Sequence, residues 1–492
     1  MKDLKEKTIR GGFARLSSQG ANFAVSMASL MVMARLLGPA EYGLVGMVTA
    51  FTGVLGLFRD FGLSAAAVQR PSLRDEESST LFWINMLVGA GLTLLTIAFA
   101  PAIAGFYHDS RLVAVTVVTA SGFLFNAAGV QHGAHLQRQM RFTTLGVIYT
   151  VGGIVSATIG IGAAMAGFGY WALVASSVSG PLAITIGCWA TACWVPSLPH
   201  RLVGVRSMMR FGGTVTLNGL VAYVAYNLEK VLLGRYWGPV AIGIYGRAYR
   251  LINIPTDNLN TAVGEVTFSA LSRLQDQPSR LRNYFLKAYS CVLAMTLPIT
   301  VAFALFSRDV ILVILGPKWS TAAPILRLLA PTILIFAVIN PLGSLIYSLG
   351  LVGRSLKIAL VFAPLIIAGY VIGLHYGPKG VALGYSAVMM LWVLPHIAWC
   401  VHGTPVSFWD ILRTSARPVG SAIVAGTFAF IVRLAYGQSL SPIPRLALES
   451  TVLLATFSVM LLLVAGQKSL YLDLLRGLMK RPSVEDKNLV TA

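Results

Sequence analysis

Apolar residues run through the chain in long stretches that are separated by short polar segments. Each stretch holds about 20 residues, the length an α-helix needs to cross a hydrocarbon core of about 30 Å. The pattern predicts an all-α polytopic membrane protein with about fourteen transmembrane helices. The predicted spans are 13–36, 41–63, 81–105, 112–135, 144–166, 169–193, 211–233, 240–264, 284–307, 322–348, 355–376, 380–401, 416–436 and 446–466.

Composition supports this interpretation. Of the 492 residues, 56% are hydrophobic and 11% are charged, whereas about a quarter of a soluble domain is charged. The mean hydropathy is +0.74. The first ten residues, MKDLKEKTIR, are polar and no small-residue cleavage site follows them, so we expect no signal peptide.

The basic residues predict the orientation of the chain. With the N-terminus placed in the cytoplasm, 24 of the 38 lysines and arginines fall on the inner side, seven on the outer side and seven inside spans. This bias predicts that both termini are cytoplasmic and that the number of spans is even. The net charge of +20 therefore reports topology, and no nucleic-acid partner is expected.

No loop is long enough to fold as a soluble domain, since the longest, 194–210 and 265–283, hold fewer than about 20 residues. Function must therefore reside among the helices. We expect five segments: an N-terminal lobe of spans one to six (1–193), a cytoplasmic linker (194–210), a C-terminal lobe of spans seven to twelve (211–402), two extra spans (403–466) and a cytoplasmic tail (467–492).

Short matches between the two predicted lobes indicate an internal repeat. Three lie at an offset of 203, and two more have offsets close to it. They are Tyr42-Gly43 with Tyr245-Gly246, Arg70 with Arg273, Phe82 with Phe285, LLG at 36–38 with LLG at 232–234, and Gly38-Pro39 with Gly238-Pro239. Spans one and seven have the same predicted direction, and parallel repeats of this kind usually enclose a substrate path.

Two arginines lie deep in a predicted span. Arg250 is about ten residues into span eight, roughly 15 Å from its outer end, and Arg247 is one turn shallower. An ionised side chain at that depth costs about 2.5–3.5 kcal/mol even on a lenient scale, so we expect both to face water or an anion. The alternative is a structural pair between Arg250 and Asp257, two turns apart.

Further polar side chains fall on spans one, two, seven and eight, which predicts a cationic cavity. The substrate-binding candidates are Arg247, Arg250, Lys230, Arg59, Asn22, Tyr223, Asn227 and Asn253. Lys230 could instead extend to the interface, Arg59 could pair with Asp60 or with lipid phosphates, and Glu229 could merely neutralise a neighbouring cation. Arginine binds phosphate through a planar fork of donors, so a phosphate-bearing amphiphile is the natural ligand.

No metal or cofactor site is predicted. The four cysteines lie within apolar runs and form no CxxC pair. His132 and His135 are three residues apart in span four, but no third ligand accompanies them.

Several segments resemble the bacterial polysaccharide transporter family, the Wzx-type oligosaccharide flippases, and especially its colanic-acid-exporter branch. The resemblance covers roughly residues 10–400 and rests on the order and spacing of the segments. They are ARLLGPAEYGLV (34–45), DFGLSAAAVQR (60–70), LFWIN (81–85), LQRQMRF (136–142), GFGYWALV (167–174), YNLEKVLLGR (226–235), YGRAYRL (245–251), ALSRLQDQP (270–278) and LGPKW (315–319).

The resemblance implies a V-shaped pair of six-helix lobes, in the superfamily that includes MATE exporters and the lipid II flippase. Such a protein moves undecaprenyl-diphosphate-linked oligosaccharide across the bacterial inner membrane by alternating access, for exopolysaccharide, O-antigen or capsule synthesis. Arg247 and Arg250 would then meet the diphosphate, and Asp257 is the candidate ion-coupling residue. Membrane lipids and polysaccharide polymerase or chain-length machinery are the further candidate partners.

Two other functions compete with this interpretation. A MATE-like exporter of small molecules shares the architecture, but the core spans here carry more arginines than acids. A membrane polysaccharide polymerase or ligase would need large outer loops, and the outer loops here are short. We therefore expect a transporter that catalyses no chemical step.

Overall fold

The computed structural model describes residues 2–59, 75–198, 205–436, 439–468 and 471. Inside the helices, nothing is described of the side chains of 2–18, 205–219, 221–222, 258–266 and 269. Over the described ranges the chain forms helices and no strand, which confirms the all-α prediction. Residues 60–74, residues 199–204 of the predicted linker and nearly all of the predicted tail lie outside the described residues.

The helices before residue 200 coincide with the first six predicted spans, although α1 begins at Lys2 instead of residue 13 and α2 ends at Gly56 instead of residue 63. They are α1 (Lys2–Leu36), α2 (Pro39–Gly56), α3 (Asp75–Tyr107), α4 (Arg111–Arg138), α5 (Phe142–Met165) and α6 (Tyr170–Ala192). Proline at the first position and an acid in the first turn favour the start of α2. There the Glu41 carboxylate accepts a hydrogen bond from the Gly38 N–H at 3.0 Å.

A continuous helical segment, α7 (Val205–Arg273), replaces two predicted spans. Its single non-helical residue is Gly238, with φ 77° and ψ −175°, a conformation that glycine adopts at little cost. Pro239 then begins the second arm, where a missing N–H is harmless. The structure therefore joins the predicted spans 211–233 and 240–264 through a kink instead of a loop.

The remaining helices lie between residues 278 and 464. They are α8 (Pro278–Leu305), α9 (Ser307–Ile314), α10 (Ala323–Leu329), α11 (Pro331–Ser348), α12 (Val352–Leu374), α13 (Gly377–Val401), α14 (Phe408–Tyr436) and α15 (Pro442–Val459). A 3₁₀ turn, Pro317–Ala322, precedes α10, and a π-helical turn, Met460–Val464, follows α15. The predicted span 322–348 is thus divided at Ala330.

Ten helices among the described residues are long and apolar enough to cross a membrane. They are α3–α6, α8, α11–α14 and α15 together with its π-helical extension, and the best 18-residue windows have mean hydropathies from 1.5 to 2.1. The chain is therefore a multi-pass membrane protein.

The chain divides into two compact units. The first contains Met1–Gly246, Ile314–Thr321 and Ile366–Val381, and the second contains Arg247–Val313, Ala322–Leu365 and Ala382–Ala492. Each range is meant without the residues that the structure leaves undescribed. The division falls within the second arm of α7, so Lys230 belongs to the first unit and Arg250 to the second.

Inside the first unit, the start of α2 packs backbone to backbone on the start of the second α7 arm. A Cβ atom on Gly43 would lie 1.7 Å from the Pro239 carbonyl oxygen, and one on Gly243 would lie 1.9 Å from the Pro39 carbonyl oxygen. Only residues without a Cβ permit this approach. We call Pro39, Gly43, Pro239 and Gly243 the glycine junction.

The glycine junction is reciprocal, because each proline opposes the glycine of the other helix. Its equivalent residues are 200 positions apart in the sequence, from Pro39 to Pro239 and from Gly43 to Gly243. That offset is the one that relates Gly38-Pro39 to Gly238-Pro239, and it differs by three residues from the 203 that aligns Tyr42 with Tyr245. The Gly-Pro match in the sequence therefore lies at a direct contact.

A distant segment caps the C-terminal end of α1. The Trp319 indole N–H donates to the Ala34 carbonyl at 2.7 Å, and the Lys318 ammonium donates to the Leu36 carbonyl at 3.1 Å. These carbonyls belong to the last turn of a helix, where no intrahelical donor remains and a cation is favoured. The Trp319 side chain is fully buried and meets the Tyr42 ring edge-on at 5.3 Å.

Candidate functional site

Three predicted binding residues come together on the first arm of α7. The Lys230 ammonium donates to the Asn227 side-chain oxygen at 2.6 Å, and the Asn227 amide donates to the Tyr223 carbonyl at 3.0 Å. All three side chains are half-buried. Their spacing of four and three residues places them on one side of the helix. We call Tyr223, Asn227 and Lys230 the α7 polar face.

A glycine of α2 accommodates the ring at one end of the α7 polar face. The Tyr223 hydroxyl lies 3.5 Å from the Thr49 carbonyl, and a Cβ atom on Gly53 would lie 1.8 Å from that hydroxyl. The glycine-rich character of α2, visible in the sequence, therefore has a local reason here. A larger side chain at 53 would displace the tyrosine.

The other two candidates in the first unit lie near α5. The Asn22 side-chain oxygen is 3.5 Å from the place that a Cβ atom on Gly153 would occupy. Arg59 is exposed just beyond the end of α2 and interacts electrostatically with Tyr149. The structure thus places both residues in the same unit as the α7 polar face, and their role in substrate binding stays a prediction.

The second unit holds Arg247, Arg250, Asn253 and Asp257 on the second α7 arm. Arg250 and Asp257 are exposed, whereas Arg247 and Asn253 are half-buried. Arg250 acts electrostatically on Asp257, but its guanidinium makes no hydrogen bond or ion pair in the described part of the chain. Its predicted contact with an anion is compatible with this exposure.

Glu229 is a residue whose environment the sequence did not reveal. Its side chain is fully buried, and neither carboxylate oxygen has a hydrogen-bond partner among the described residues. The neighbouring Lys230 ammonium hydrogen-bonds to Asn227. An acid in an apolar run was the only signal available, and it could not distinguish a buried side chain from an exposed one.

A second feature absent from the sequence predictions is a charged cluster in the second unit. Asp309, fully buried, forms ion pairs with Arg445 and with Arg433 at 3.4 Å. Arg433 also lies 3.9 Å from Glu449 and donates to the Leu305 carbonyl at 2.6 Å. We call these four charged residues the Asp309 cluster.

The Asp309 cluster connects α14 and α15 to α8 and α9. A bidentate pair between Arg282 of α8 and Asp410 of α14 joins the other end, with an Nε–Oδ2 distance of 2.7 Å. Between the two ends, a Cβ atom on Gly426 would lie 2.9 Å from Val301, so α14 follows α8 closely along its length. The last two helices are therefore an integral part of the second unit.

His132 packs among aromatic rings in the first unit. Its ring stacks on Trp189 with centroids 4.2 Å apart and meets the edge of Phe82 at 5.8 Å, while His135 stacks on Trp194 at 6.0 Å. Within the described ranges, no group of three or more His, Cys, Asp or Glu side chains could hold a metal ion. The surroundings of this histidine pair are those of aromatic packing.

The sequence profile of a family described as polysaccharide biosynthesis protein matches residues 32–324. The chain is 26% identical over 398 residues to the lipopolysaccharide biosynthesis protein WzxC of Escherichia coli (strain K12), and the match covers 79% of this chain and 80% of that protein. It is 23% identical over 451 residues to the succinoglycan biosynthesis transport protein ExoT of Rhizobium meliloti (strain 1021), covering 91% and 90%.

A solved structure shares the fold. The lipid II flippase MurJ, in an inward closed conformation, aligns with a TM-score of 0.74 over 92% of this chain and 98% of its own. The sequences are 14% identical, so this likeness concerns the fold alone.

Proposed function

Because the chain belongs to the polysaccharide biosynthesis protein family, we propose that it is a flippase that carries lipid-linked oligosaccharides across the membrane. Its relatives include proteins named for lipopolysaccharide biosynthesis and succinoglycan transport. The substrate is an oligosaccharide repeat unit on undecaprenyl diphosphate. The protein moves it without a chemical step, for exopolysaccharide, O-antigen or capsule synthesis.

The α7 polar face is the observation that carries this proposal. Lys230 and its hydrogen-bonded amide lie half-buried in a helix whose other residues are mostly apolar. A polar group kept inside a membrane protein is costly unless a ligand or a path for one requires it. A cation next to an amide and a tyrosine hydroxyl suits a diphosphate joined to a sugar.

The arginines of the second α7 arm extend the same chemistry. Arg250 is exposed and makes no hydrogen bond within the described ranges, so its five donors remain available for phosphate oxygens. Arg247, Arg59, Asn22 and Asn253 complete the proposed substrate path. Asp257, exposed near Arg250, stays the proposed ion-coupling residue.

The finer architecture is also part of the proposal. Fourteen spans form two parallel six-helix lobes, 1–193 and 211–402, in a V-shaped MATE-like arrangement that alternates its access. The linker 194–210 connects the lobes, and spans within 403–466 follow them. Both termini, including the tail 467–492, are cytoplasmic, and the protein resides in the bacterial inner membrane with membrane lipids and polymerase or chain-length machinery as partners.

Deletion of the protein from its host tests the proposal. We expect complete, unpolymerised repeat units on the lipid carrier to accumulate while surface polysaccharide is lost, and the wild-type gene to reverse both effects. Mass spectrometry of lipid extracts measures the first quantity, and a polysaccharide assay measures the second. Unchanged lipid intermediates with normal polysaccharide would refute the proposal and direct attention to efflux of small molecules.

A further inference from the structure

Glu229 is buried in a membrane-type helix, and Lys230, the next residue along the chain, is the described cation that acts on its charge. Its side chain has no exposed surface, and no side chain among the described residues donates a hydrogen bond to its two oxygens. The adjacent Lys230 points its ammonium at Asn227, 2.6 Å away. Consecutive residues of a helix do not face each other, which is consistent with that geometry.

An ionised carboxylate in this position would be strongly destabilised. Desolvation of a lone buried charge costs several kcal/mol, and in practice such a group becomes neutral. A metal cation of the calcium or magnesium type would need several oxygen ligands around it, whereas a proton needs one. The neutral carboxylic acid is therefore the form that fits this environment.

We propose that Glu229 is a proton-binding site whose protonation controls the affinity of the α7 polar face for the anionic substrate. This inference rests on the proposed function, because it takes the diphosphate as the anion that Lys230 meets. With Glu229 neutral, the charge of Lys230 acts undiminished on an anion. With Glu229 ionised, the adjacent negative charge offsets Lys230 and weakens anion binding.

The electrostatic surroundings of Glu229 are simple. The described titratable groups that interact with it are Lys230 and Tyr223, both on the first arm of α7, and no titratable group of another described helix does so. A change in the charge of Glu229 is therefore felt first by the α7 polar face. By thermodynamic linkage, the bound anion must in turn favour the protonated acid.

A matched control exists in the second unit. Glu449 is also buried, with 1% exposure, and its oxygens likewise lack hydrogen bonds in the described part of the chain. It lies 3.9 Å from the Arg433 guanidinium, within the Asp309 cluster. The two glutamates thus share burial and belong to different units, so Glu449→Gln tests whether an effect is particular to Glu229.

The first experiment reads the protonated acid directly, without substrate. Infrared spectra of the purified full-length protein in lipid are recorded at neutral pH, and the spectrum of each variant is subtracted from that of the wild type. The wild-type spectrum should contain a band from a protonated carboxylic acid. We expect Glu229→Gln to lose a component of this band that Glu449→Gln retains. A band that is unchanged in Glu229→Gln would overturn the proposal, whatever the protein transports.

The second experiment measures binding of undecaprenyl diphosphate across a pH series. The wild type should lose about tenfold in affinity as Glu229 ionises, equivalent to about 1.4 kcal/mol of coupling. Glu229→Gln should bind tightly at every pH, and Glu229→Asp, which keeps an acid, should retain a pH-dependent affinity. Equal pH dependence in wild type and Glu229→Gln would overturn the linkage.

The two experiments separate this inference from the proposed function. If the wild type fails to bind undecaprenyl diphosphate at any pH, the proposed substrate is wrong. The proposed control of its affinity by Glu229 is then wrong as well. The infrared comparison would still decide whether Glu229 is the protonated acid.

Discussion

An alanine at Gly43 should disturb the glycine junction, because its added methyl group would collide with the backbone of Pro239. The new Cβ would lie 1.7 Å from the Pro239 carbonyl oxygen, whereas ordinary contact begins at 3.4 Å. The two helix starts would therefore have to separate by about 1.7 Å, the difference between those distances. The Cβ atom is bonded to the backbone and the carbonyl oxygen is part of it, so no side-chain rotation can relieve the overlap.

The energetic cost follows from this overlap. Overpacking in a tight contact costs about 1–3 kcal/mol, and occasionally more, and a collision with backbone belongs at the upper end. If the proposed alternation of access closes the junction in only one of two conformations, a cost of about 3 kcal/mol shifts the ratio of those conformations roughly 150-fold. We expect Gly43→Ala to fold, to disfavour the closed junction and to lower transport at least about tenfold.

Spin labels on the exposed residues Ala40 and Val240 report the distance across the junction, on a cysteine-free background. Pulsed electron paramagnetic resonance should show a longer distance distribution in Gly43→Ala than in the unsubstituted protein. Gly243→Ala, with its Cβ 1.9 Å from the Pro39 carbonyl oxygen, should act in the same direction.

Gly246→Ala is the matched control, because its Cβ would meet nothing within 4 Å although it lies one turn from Gly243. Alanine is the better helix former by up to about 1 kcal/mol, so this variant should be neutral or slightly stabilised. The reasoning is refuted if Gly43→Ala and Gly246→Ala give the same distances and the same transport.

Three further predictions concern other charged and capping groups. Arg250→Ala should insert normally yet lower polysaccharide export by about tenfold or more. Arg250→Lys, which keeps the positive charge, should retain part of the export activity. Wild-type export in the alanine variant would contradict the proposed cationic path. Trp319→Phe removes the hydrogen bond to Ala34 and should cost about 0.5–1.5 kcal/mol, seen as a lower Tm in detergent; an unchanged Tm would show that this cap is dispensable. Asp309→Asn leaves Arg433 and Arg445 facing a neutral amide. It should lower the free energy of unfolding by about 3–5 kcal/mol and lower the Tm more than Trp319→Phe does. Equal Tm values for variant and wild type would argue against the Asp309 cluster as a stabilising element.

The helices could be predicted from the sequence because a membrane imposes one length and one polarity on each span. The long apolar runs of α3 to α6 illustrate this, since their ends differ from the predicted spans by a few residues. The kink of α7 was not predicted, because Gly238-Pro239 is equally compatible with a loop between two spans. The structure instead kinks the helix at Gly238, whose φ of 77° and ψ of −175° glycine adopts at little cost.

Contacts between distant segments were beyond the reach of sequence patterns. The cap of α1 joins residues 285 positions apart, and nothing local to LGPKW indicates which carbonyl its tryptophan will meet. The Gly-Pro match was visible, but only the structure places its two copies against each other. The burial of Glu229 was equally hidden, because helical periodicity does not say which neighbour covers a given face.

The cations inside predicted spans differ in the groups that neutralise their charge. This difference distinguishes a cation that stabilises the fold from one that we propose binds substrate. Arg433 has two buried acids within 4.0 Å, Asp309 and Glu449, so its charge is used within the second unit. Lys230 is hydrogen-bonded to a neutral amide and forms no ion pair among the described residues. A lysine left with net charge inside a membrane protein is stable only where an anion or water reaches it. The charge of Lys230 is therefore one that the proposed diphosphate would compensate.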